Sequence, residues 1–232
     1  MTTKGYFITG TDTGVGKTKI AVALLKTLKQ KGYRTAGMKP VSSGAIKTAQ
    51  GLRNEDALSL LSAATLKASY DEVNPFVFEP HIAPHIAAKI NGEHLSVKTI
   101  WEACQPILNA DVDYIVVEGA GGFKVPLNNR ETMAEFARKI NFPIILVIGL
   151  RLGCLNHASL TAQAIESYGI STLGWVGYPY VLEPEMPYLH ENIESLKERL
   201  NMPFLGIYPD LLFSEIESFS RLGCVSRKSA SM

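Results

Sequence analysis

The feature that most constrains the fold lies at residues 5–30, where "GYFITGTDTGVGKT" runs directly into an amphipathic pattern. The first six residues predict a buried strand, and Ile20, Leu24 and Leu28 repeat at helical spacing. A glycine-rich turn between a strand and a helix that opens on Lys and Thr is typical of a phosphate-binding loop. Its glycines let backbone N–H groups point at an anion, and the helix N-terminus adds partial positive charge.

Within this loop, Lys17 is predicted to reach the β- and γ-phosphate oxygens and the Thr18 hydroxyl to bind Mg²⁺. The spacing departs from G-x-x-x-x-G-K-[ST] at one point, because Thr11 stands where the first glycine is expected and Gly10 precedes it. From the loop alone, the alternative is a glycine-rich turn that binds no phosphate.

The rest of the chain alternates apolar runs with helical patterns. Strands are predicted at 34–41, 113–119, 143–150, 171–178 and 203–209, and helices at 54–65, 96–110, 156–169 and 185–200. Such alternation predicts one α/β domain over residues 1–232, with a mostly parallel sheet covered by helices on both faces. About ten polar residues at the C-terminus are expected to fray.

Composition excludes several classes of function. A formal net charge of +1 gives no electrostatic footprint for nucleic acid or an anionic membrane, and no apolar run has the length of a membrane span. No signal peptide is predicted at the N-terminus. Cys104, Cys154 and Cys224 are too widely spaced for a zinc site or a disulfide framework, so a cytoplasmic location is expected.

Charged side chains are predicted at the edge of the sheet where the phosphate loop lies. Glu118 ends an apolar strand, and a charge at such a strand end is rarely structural. Lys39 follows the second strand and Asp56 begins a helix. Each also has an alternative without a ligand: Lys39 as a solvated lysine at a strand end, and Asp56 as an acid that stabilises a helix N-terminus. With Lys17, these residues predict Mg-nucleotide-dependent phosphoryl transfer but leave the acceptor unidentified.

The histidines do not extend this site. None of the five stands at the spacing of metal ligands, so core, cap or surface roles are predicted for all of them: His81, His85, His94, His157 and His190.

Taken together, several stretches resemble one enzyme family. They include "GYFITGTDTGVGKT", "GYRTAGMKPVSSG", "GLRNEDAL", "APHIAA", "VEGAGGFKVPL" and "VIGLRLGCLNHASLTAQAI", between residues 5 and 211. The chain is similar here to the dethiobiotin synthetases, which have a P-loop NTPase fold. The resemblance implies a cyclo-ligase that joins CO₂ to 7,8-diaminopelargonic acid with Mg²⁺ and ATP, through a carbamate and a carbamic-phosphoric anhydride.

The same resemblance implies a role for each matching residue. Lys17 and Lys39 become the catalytic cations, and Thr18, Asp56 and Glu118 the Mg²⁺ ligands. Thr13 and Ser43 would bind the substrate's diamine end, and a partner subunit in a homodimer would hold its carboxylate with Gly153, Cys154, Leu155 and Asn156. The further nucleotide contacts would be Gly14, Val15, Gly16, Gly119, Ala120, Gly121, Tyr178, Pro179, Pro209, Asp210 and Leu211.

One position departs from the family. Many members carry an asparagine after "GWV" that reads the adenine edge, whereas this chain reads "GWVGYPY" with Tyr178 in that place. A tyrosine stacks on a base but cannot make the paired contacts of an amide, so weak base selectivity is expected. The alternatives are another amide-forming synthetase of the superfamily and a partner-binding switch ATPase, although no lysine precedes Lys17 in the loop as in such switches.

Overall fold

The computed structural model describes residues 4–179 and 186–216. The strands, in chain order, are β1 (Lys4–Gly10), β2 (Thr35–Met38), β3 (Val41–Ser42), β4 (Ile46–Thr48), β5 (Gly51–Arg53), β6 (Phe76–Val77), β7 (Tyr114–Glu118), β8 (Ile144–Leu150), β9 (Thr172–Pro179), β10 (Phe204–Ile207) and β11 (Asp210–Leu211). Seven of them form one sheet in the order β11-β10-β9-β8-β1-β7-β2, and all neighbours in it are parallel except β10 and β11.

Helices connect these strands. They are α1 (Lys17–Gln30), α2 (Glu55–Ala63), α3 (Tyr70–Val73), α4 (Pro84–Ile90), α5 (Val97–Ala103), α6 (Gln105–Leu108), α7 (Met133–Ile140), α8 (Cys154–Ser167) and α9 (Leu189–Arg199), followed by a 3-10 turn at Leu212–Glu215. Among the described residues, no helix combines the length and the apolar composition that crossing a membrane requires.

Successive side chains of β1 pack into two separate hydrophobic cores, one on each face of the sheet. Tyr6 and Ile8 of β1 pack in the core that α1 forms on one face of the sheet. Phe7 packs in the core on the other face, where its ring lies 6.3 Å from that of Phe136 in α7. Because both faces are covered, the predicted doubly wound α/β architecture is confirmed.

The order of the strands places the phosphate loop at the switch point of the sheet. From β1 the chain continues to β2 and β7 on one side, and then to β8 and β9 on the other. Ligands in open parallel sheets bind beyond the carboxyl ends of the strands at such a point. The ends of β1, β2, β7, β8 and β9 therefore meet at one edge.

Three predicted element boundaries are wrong. The helix predicted at 96–110 is two short helices, because Pro106 lacks an N–H group and its ring clashes with the preceding helical turn. The strand predicted at 34–41 ends at Met38, and residues 41–42 pair with β6 instead. The helix predicted from 156 begins two residues earlier, at Cys154.

Two further predicted segments are shorter than expected, and some predictions fall outside the described residues. The strand predicted at 203–209 spans Phe204–Ile207, and the helix predicted at 185–200 spans Leu189–Arg199. Residue 185 and the polar C-terminal tail, with Cys224, lie outside the described residues.

Asn54 is the N-cap of α2 and fixes the start of that helix. Its Oδ1 accepts hydrogen bonds from the backbone N–H groups of Asp56 and Ala57. Its own N–H donates to the Tyr70 hydroxyl at 2.7 Å, and its Nδ2 donates to the carbonyl of Ser43 at 3.4 Å. One buried side chain thus holds the first turn of α2 against the segment that follows β3.

Replacing this cap should destabilise the fold. We expect Asn54→Ala to lower the free energy of unfolding by about 1–2 kcal/mol, since buried N–H groups lose their acceptor. The matched control is Ser69→Ala, which removes the exposed cap of α3 and should cost less because water replaces the lost contact. Urea denaturation measures both, and a larger cost for Ser69→Ala would contradict this account.

Candidate functional site

A cavity of about 590 Å³ opens at the carboxyl edge of the sheet. Its walls are the phosphate loop (residues 10–18), the segments that follow β2, β3 and β7, the start of α2 and residues 81–84. It therefore lies at the edge where the strand order had placed a ligand site.

The phosphate loop depends on three glycines. Gly14 and Gly16 have φ angles of 75° and 90°, which other residues rarely adopt. Gly10 is required for another reason, since a Cβ there would lie 2.6 Å from the side chain of Val15. This close approach explains why a glycine stands at position 10, one residue ahead of the usual motif.

Lys17 lies buried beside the loop that precedes it. Its Nζ donates a hydrogen bond to the backbone carbonyl of Asp12 at 2.7 Å. Burial lowers the pKa of this ammonium to about 8, although the carboxylate of Glu118 acts in the opposite direction. A cation buried in this way is stabilised by any anion that enters the cavity.

Lys39 joins the two carboxylates of the cavity. Its Nζ lies 2.6 Å from Glu118 Oε1 and 2.9 Å from Asp56 Oδ2. Burial disfavours its charge, but the neighbouring Glu118 and Asp56 outweigh that cost and raise the pKa of Lys39. Only 6% of the Lys39 side chain is exposed, so the alternative of a solvated lysine at a strand end is wrong.

Asp56 lies in the first turn of α2, where a carboxylate interacts favourably with the helix dipole, and it is also paired with Lys39. Burial raises the pKa of this carboxyl, but the charge of Lys39 together with hydrogen bonds from Lys39 and Thr18 outweighs burial, so the pKa is lowered.

Glu118 offers an unsatisfied oxygen beside the phosphate loop. Its side chain is 1% exposed, and Oε1 accepts from Lys39 and from the Thr18 hydroxyl at 2.9 Å. Oε2 is buried and has no hydrogen-bond partner in the structure. An orphaned carboxylate oxygen together with a hydroxyl and a second carboxylate fits Mg²⁺, which prefers oxygen ligands and takes few of them from the protein.

No cluster of three His, Cys, Asp or Glu side chains suited to a metal occurs in residues 4–179 and 186–216. The oxygen atoms that this cavity offers a metal include those of Asp56, Glu118 and Thr18, and Mg²⁺ commonly completes its ligands with phosphate and water.

Asp12 connects the phosphate loop to the loop that begins α8. Its Oδ1 accepts from the backbone N–H of Thr13 at 2.7 Å, and its Oδ2 lies 3.3 Å from a guanidinium nitrogen of Arg151. Arg151 follows β8 directly and precedes Gly153, the N-cap of α8. This ion pair links the phosphate loop to the loop before α8.

The predicted site residues divide into two groups. The cavity brings together Thr13, Gly14, Gly16, Lys17, Thr18, Lys39, Ser43, Asp56, Glu118, Ala120, Gly121 and Tyr178. The residues that do not line it are Val15, Gly119, Gly153, Cys154, Leu155, Asn156, Pro179, Pro209, Asp210 and Leu211. The side chain of Val15 is buried in the core beneath α1, and the predicted ligand roles of all ten residues remain predictions.

Tyr178 forms a wall of the cavity next to the phosphate loop. A Cβ added to Gly16 would lie 2.4 Å from its ring, so the ring is packed directly on the loop backbone. The Tyr208 ring lies 5.4 Å away at an angle of 38°. This aromatic pair supplies an apolar face of the kind on which a nucleobase stacks.

Sequence reasoning missed one wall of the cavity. His81, Ile82, Ala83 and Pro84 line it, together with Ser42 and Val125. His81 had been assigned a core, cap or surface role, yet its ring lies against Gly44 at the cavity. The only signal was the stretch "APHIAA" at residues 83–88 in the family resemblance, which includes Ala83 and Pro84 but not His81, and to which no role had been attached.

Gly16 provides a test of the phosphate loop. We expect Gly16→Ala to weaken nucleotide binding at least tenfold, about 1.4 kcal/mol, because its positive φ is strained and the new Cβ meets Tyr178. Gly32→Ala is the matched control, since Gly32 has a φ of 85° with open space around it and lies outside the cavity. Calorimetric titration with a triphosphate should show normal affinity for the control, and equal losses in the two variants would contradict the prediction.

Comparison with known proteins identifies the family of this chain. The family model described as an AAA domain matches residues 4–215. The chain is 46% identical to the ATP-dependent dethiobiotin synthetase BioD of Cellvibrio japonicus over 220 residues, 95% of each chain. It is 48% identical to the protein of the same name from Pseudomonas paraeruginosa over 206 residues, which cover 89% of this chain and 90% of that relative.

Among solved structures, the septum site-determining protein MinD of Pyrococcus horikoshii, complexed with Mg-ADP, aligns with a TM-score of 0.54. The alignment covers 100% of this chain and 90% of that one. At 16% identity this likeness shows the nucleotide-binding fold alone. The identity to the curated relatives over nearly their whole length shows more: the chain belongs to the family of ATP-dependent dethiobiotin synthetases.

Proposed function

We propose that this chain joins CO₂ to 7,8-diaminopelargonic acid and closes the urea ring of dethiobiotin, with ATP converted to ADP and phosphate. The observation that carries the proposal is the meeting of Lys17, Lys39, Asp56 and Glu118 in one cavity beside the phosphate loop. Two cations and two carboxylates around a triphosphate suit phosphoryl transfer, and the family supplies the acceptor.

The phosphate loop holds the triphosphate. Its backbone N–H groups and the N-terminus of α1 bind the phosphate oxygens, and Lys17 moves its hydrogen bond from the Asp12 carbonyl to a phosphate. Thr18, Asp56 and Glu118 would hold Mg²⁺, which would supply neutralisation of phosphate charge.

The chemistry requires no protein nucleophile. One amine of the substrate adds to CO₂ and loses a proton, which gives a carbamate. A carbamate oxygen attacks the γ-phosphorus, ADP leaves, and the second amine then attacks the carbonyl carbon and expels phosphate. Lys39 stabilises the charge that develops on the transferred group, and holding the reactants in contact supplies roughly 7–11 kcal/mol of the barrier.

We further propose that the substrate spans two subunits of a homodimer. Thr13 and Ser43 line the cavity and would bind the diamine end. α8 begins at Gly153 without a side-chain cap, so the N–H groups of its first turn suit the substrate's carboxylate in the partner's site. Leu152, in the loop before α8, is 85% exposed and Leu160 of α8 is 58% exposed, which favours an interface there.

A cytoplasmic location belongs to the same proposal. Cys104 and Cys154 are buried free thiols, as expected of a protein in a reducing compartment.

The principal alternative is a switch ATPase, the class suggested by the fold of MinD. A phosphate-release assay separates the two functions. We expect release only when the diamine, bicarbonate, Mg²⁺ and ATP are all present, with dethiobiotin formed in equal amount. Rapid release without the diamine, or none with it, would overturn the synthetase proposal.

Lys39 should contribute to turnover far more than to nucleotide binding. We expect Lys39→Ala to lower kcat by about 10²-fold or more at saturating Mg²⁺, because a preorganised donor to the transition state is lost. The control is Lys26→Ala, an exposed lysine of α1 outside the cavity, which should leave kcat unchanged. Near-normal kcat in folded Lys39→Ala would contradict the catalytic role.

The dimer is tested by mixing two inactive chains. Lys17→Ala damages its own nucleotide site, whereas Asn156→Ala damages the site of the partner. Random exchange makes half of the dimers mixed, and each mixed dimer has one intact site, so activity should recover to about a quarter of the wild-type value. A fully active monomer in sedimentation, or no recovery after confirmed exchange, would contradict the shared site.

Tyr178 should make the enzyme tolerant of different bases. A stacking wall accepts every base, whereas an amide that pairs with one edge rejects analogues strongly. We expect kcat/KM for ATP, GTP, CTP and UTP to lie within about 10³-fold of one another, and Tyr178→Ala to weaken all four. A preference for ATP beyond about 10³-fold, or about 4 kcal/mol, would show that another group reads adenine.

A further inference from the structure

The ammonium of Lys39 lies among the three residues that would hold the metal. Its Nζ is 2.6 Å from Glu118 Oε1 and 2.9 Å from Asp56 Oδ2, and the same Glu118 oxygen accepts from Thr18. We propose that Lys39 is the resident cation of this site, and that Mg²⁺ entry displaces its ammonium from the carboxylates toward the reacting phosphate. The inference rests on the proposed function for the identity of the metal ligands.

Access to Glu118 supports the exchange. Asp56 is 43% exposed at its side chain, but Glu118 is 1% exposed and Lys39 lies against both. Lys39 itself lines the cavity, so an ion that enters from the cavity meets this ammonium on its way to Glu118. Glu118 Oε2, the oxygen without a hydrogen-bond partner, belongs to the same carboxylate as the Oε1 that Lys39 holds, so a divalent ion bound there would lie close to the ammonium.

Charge supports it as well. The charges of Lys17 and Lys39 balance those of the two carboxylates, Asp56 and Glu118. A divalent ion added beside an unmoved Lys39 would place like charges in contact in a poorly solvated site. A nucleotide-borne Mg²⁺ avoids this conflict, because it replaces the ammonium at the carboxylates while the phosphates provide the ammonium with new acceptors.

The exchange gives Lys39 two successive tasks. Before the nucleotide binds, it pairs the buried Glu118, whose charge would otherwise be unbalanced. After the exchange, the same ammonium lies next to the group that is transferred. Delivery of the catalytic cation is thereby coupled to arrival of the metal with its nucleotide.

Binding of Mn²⁺ alone tests the proposal without turnover. Wild-type protein should bind Mn²⁺ weakly and gain little thermal stability from it. Lys39→Met keeps the length of the side chain and removes its charge, so it should melt lower without metal, regain stability with Mn²⁺, and bind Mn²⁺ at least tenfold more tightly than Lys17→Met. Free Mn²⁺ is measured by electron paramagnetic resonance, and the melting temperature by fluorescence.

Lys17→Met is the matched control because Lys17 is also buried and also lies near Glu118 and Asp56, but donates to a backbone carbonyl. This substitution also removes one positive charge, but it leaves the Lys39 ammonium bonded to Glu118 and Asp56. Equal gains in Mn²⁺ affinity for the two variants, or wild-type affinity equal to that of Lys39→Met, would overturn the proposal.

A crystal structure of the wild-type protein with Mn²⁺ and β,γ-imido-ATP tests it without any variant. We expect Mn²⁺ on Glu118 and Asp56 and the Lys39 ammonium on a γ-phosphate oxygen. Lys39 still bonded to both carboxylates beside the metal would overturn the exchange. The phosphate-release assay decides the synthetase function independently, since an enzyme that makes dethiobiotin can still fail this test.

Discussion

The site depends on the pairing of β2 with β7. These strands are parallel, and their register sets Met38 opposite Val117. The next residue on each strand is Lys39 and Glu118, so continuation of that register brings the ammonium to the carboxylate at 2.6 Å. A slip of one residue would turn every side chain of β2 to the other face of the sheet. The apolar residues that fix this register in the two cores therefore also assemble the charged centre.

The parts of this site that the sequence predicts correctly are those with strong local signals. The strand–loop–helix at residues 5–30 carries its periodicities and its glycines together, and Glu118 stands out as a charge that ends an apolar run. From the sequence, Lys39 and Asp56 could either belong to the site or be a solvated lysine and a helix-start acid. Only tertiary structure brings the two together, because α2 must pack beside β2 before its first turn reaches the lysine.

The missed parts lack a local signal or depend on distant partners. The segment from His81 to Pro84 has no periodicity, and it lines the cavity only because β3 pairs with β6 and brings the chain back to the sheet edge. The predicted helix at 96–110 is a different failure, since its apolar pattern is continuous and Pro106 alone interrupts it. That prediction followed the apolar periodicity and ignored the restriction that a proline places on the helix backbone.

Each central strand contributes one chemical group at its carboxyl end. β1 leads to the phosphate loop, β2 to Lys39, β7 to Glu118, β8 to Arg151 and β9 to Tyr178. The sheet that carries them resembles that of a septum site-determining ATPase at only 16% identity, so the fold by itself does not specify the reaction. The groups that we propose for the reaction, the phosphate loop, Lys39, Glu118 and Tyr178, lie at four of these strand ends, which are close together because parallel neighbours end at the same edge. A different reaction on this scaffold would therefore require changes at the strand ends rather than in the two cores beneath them.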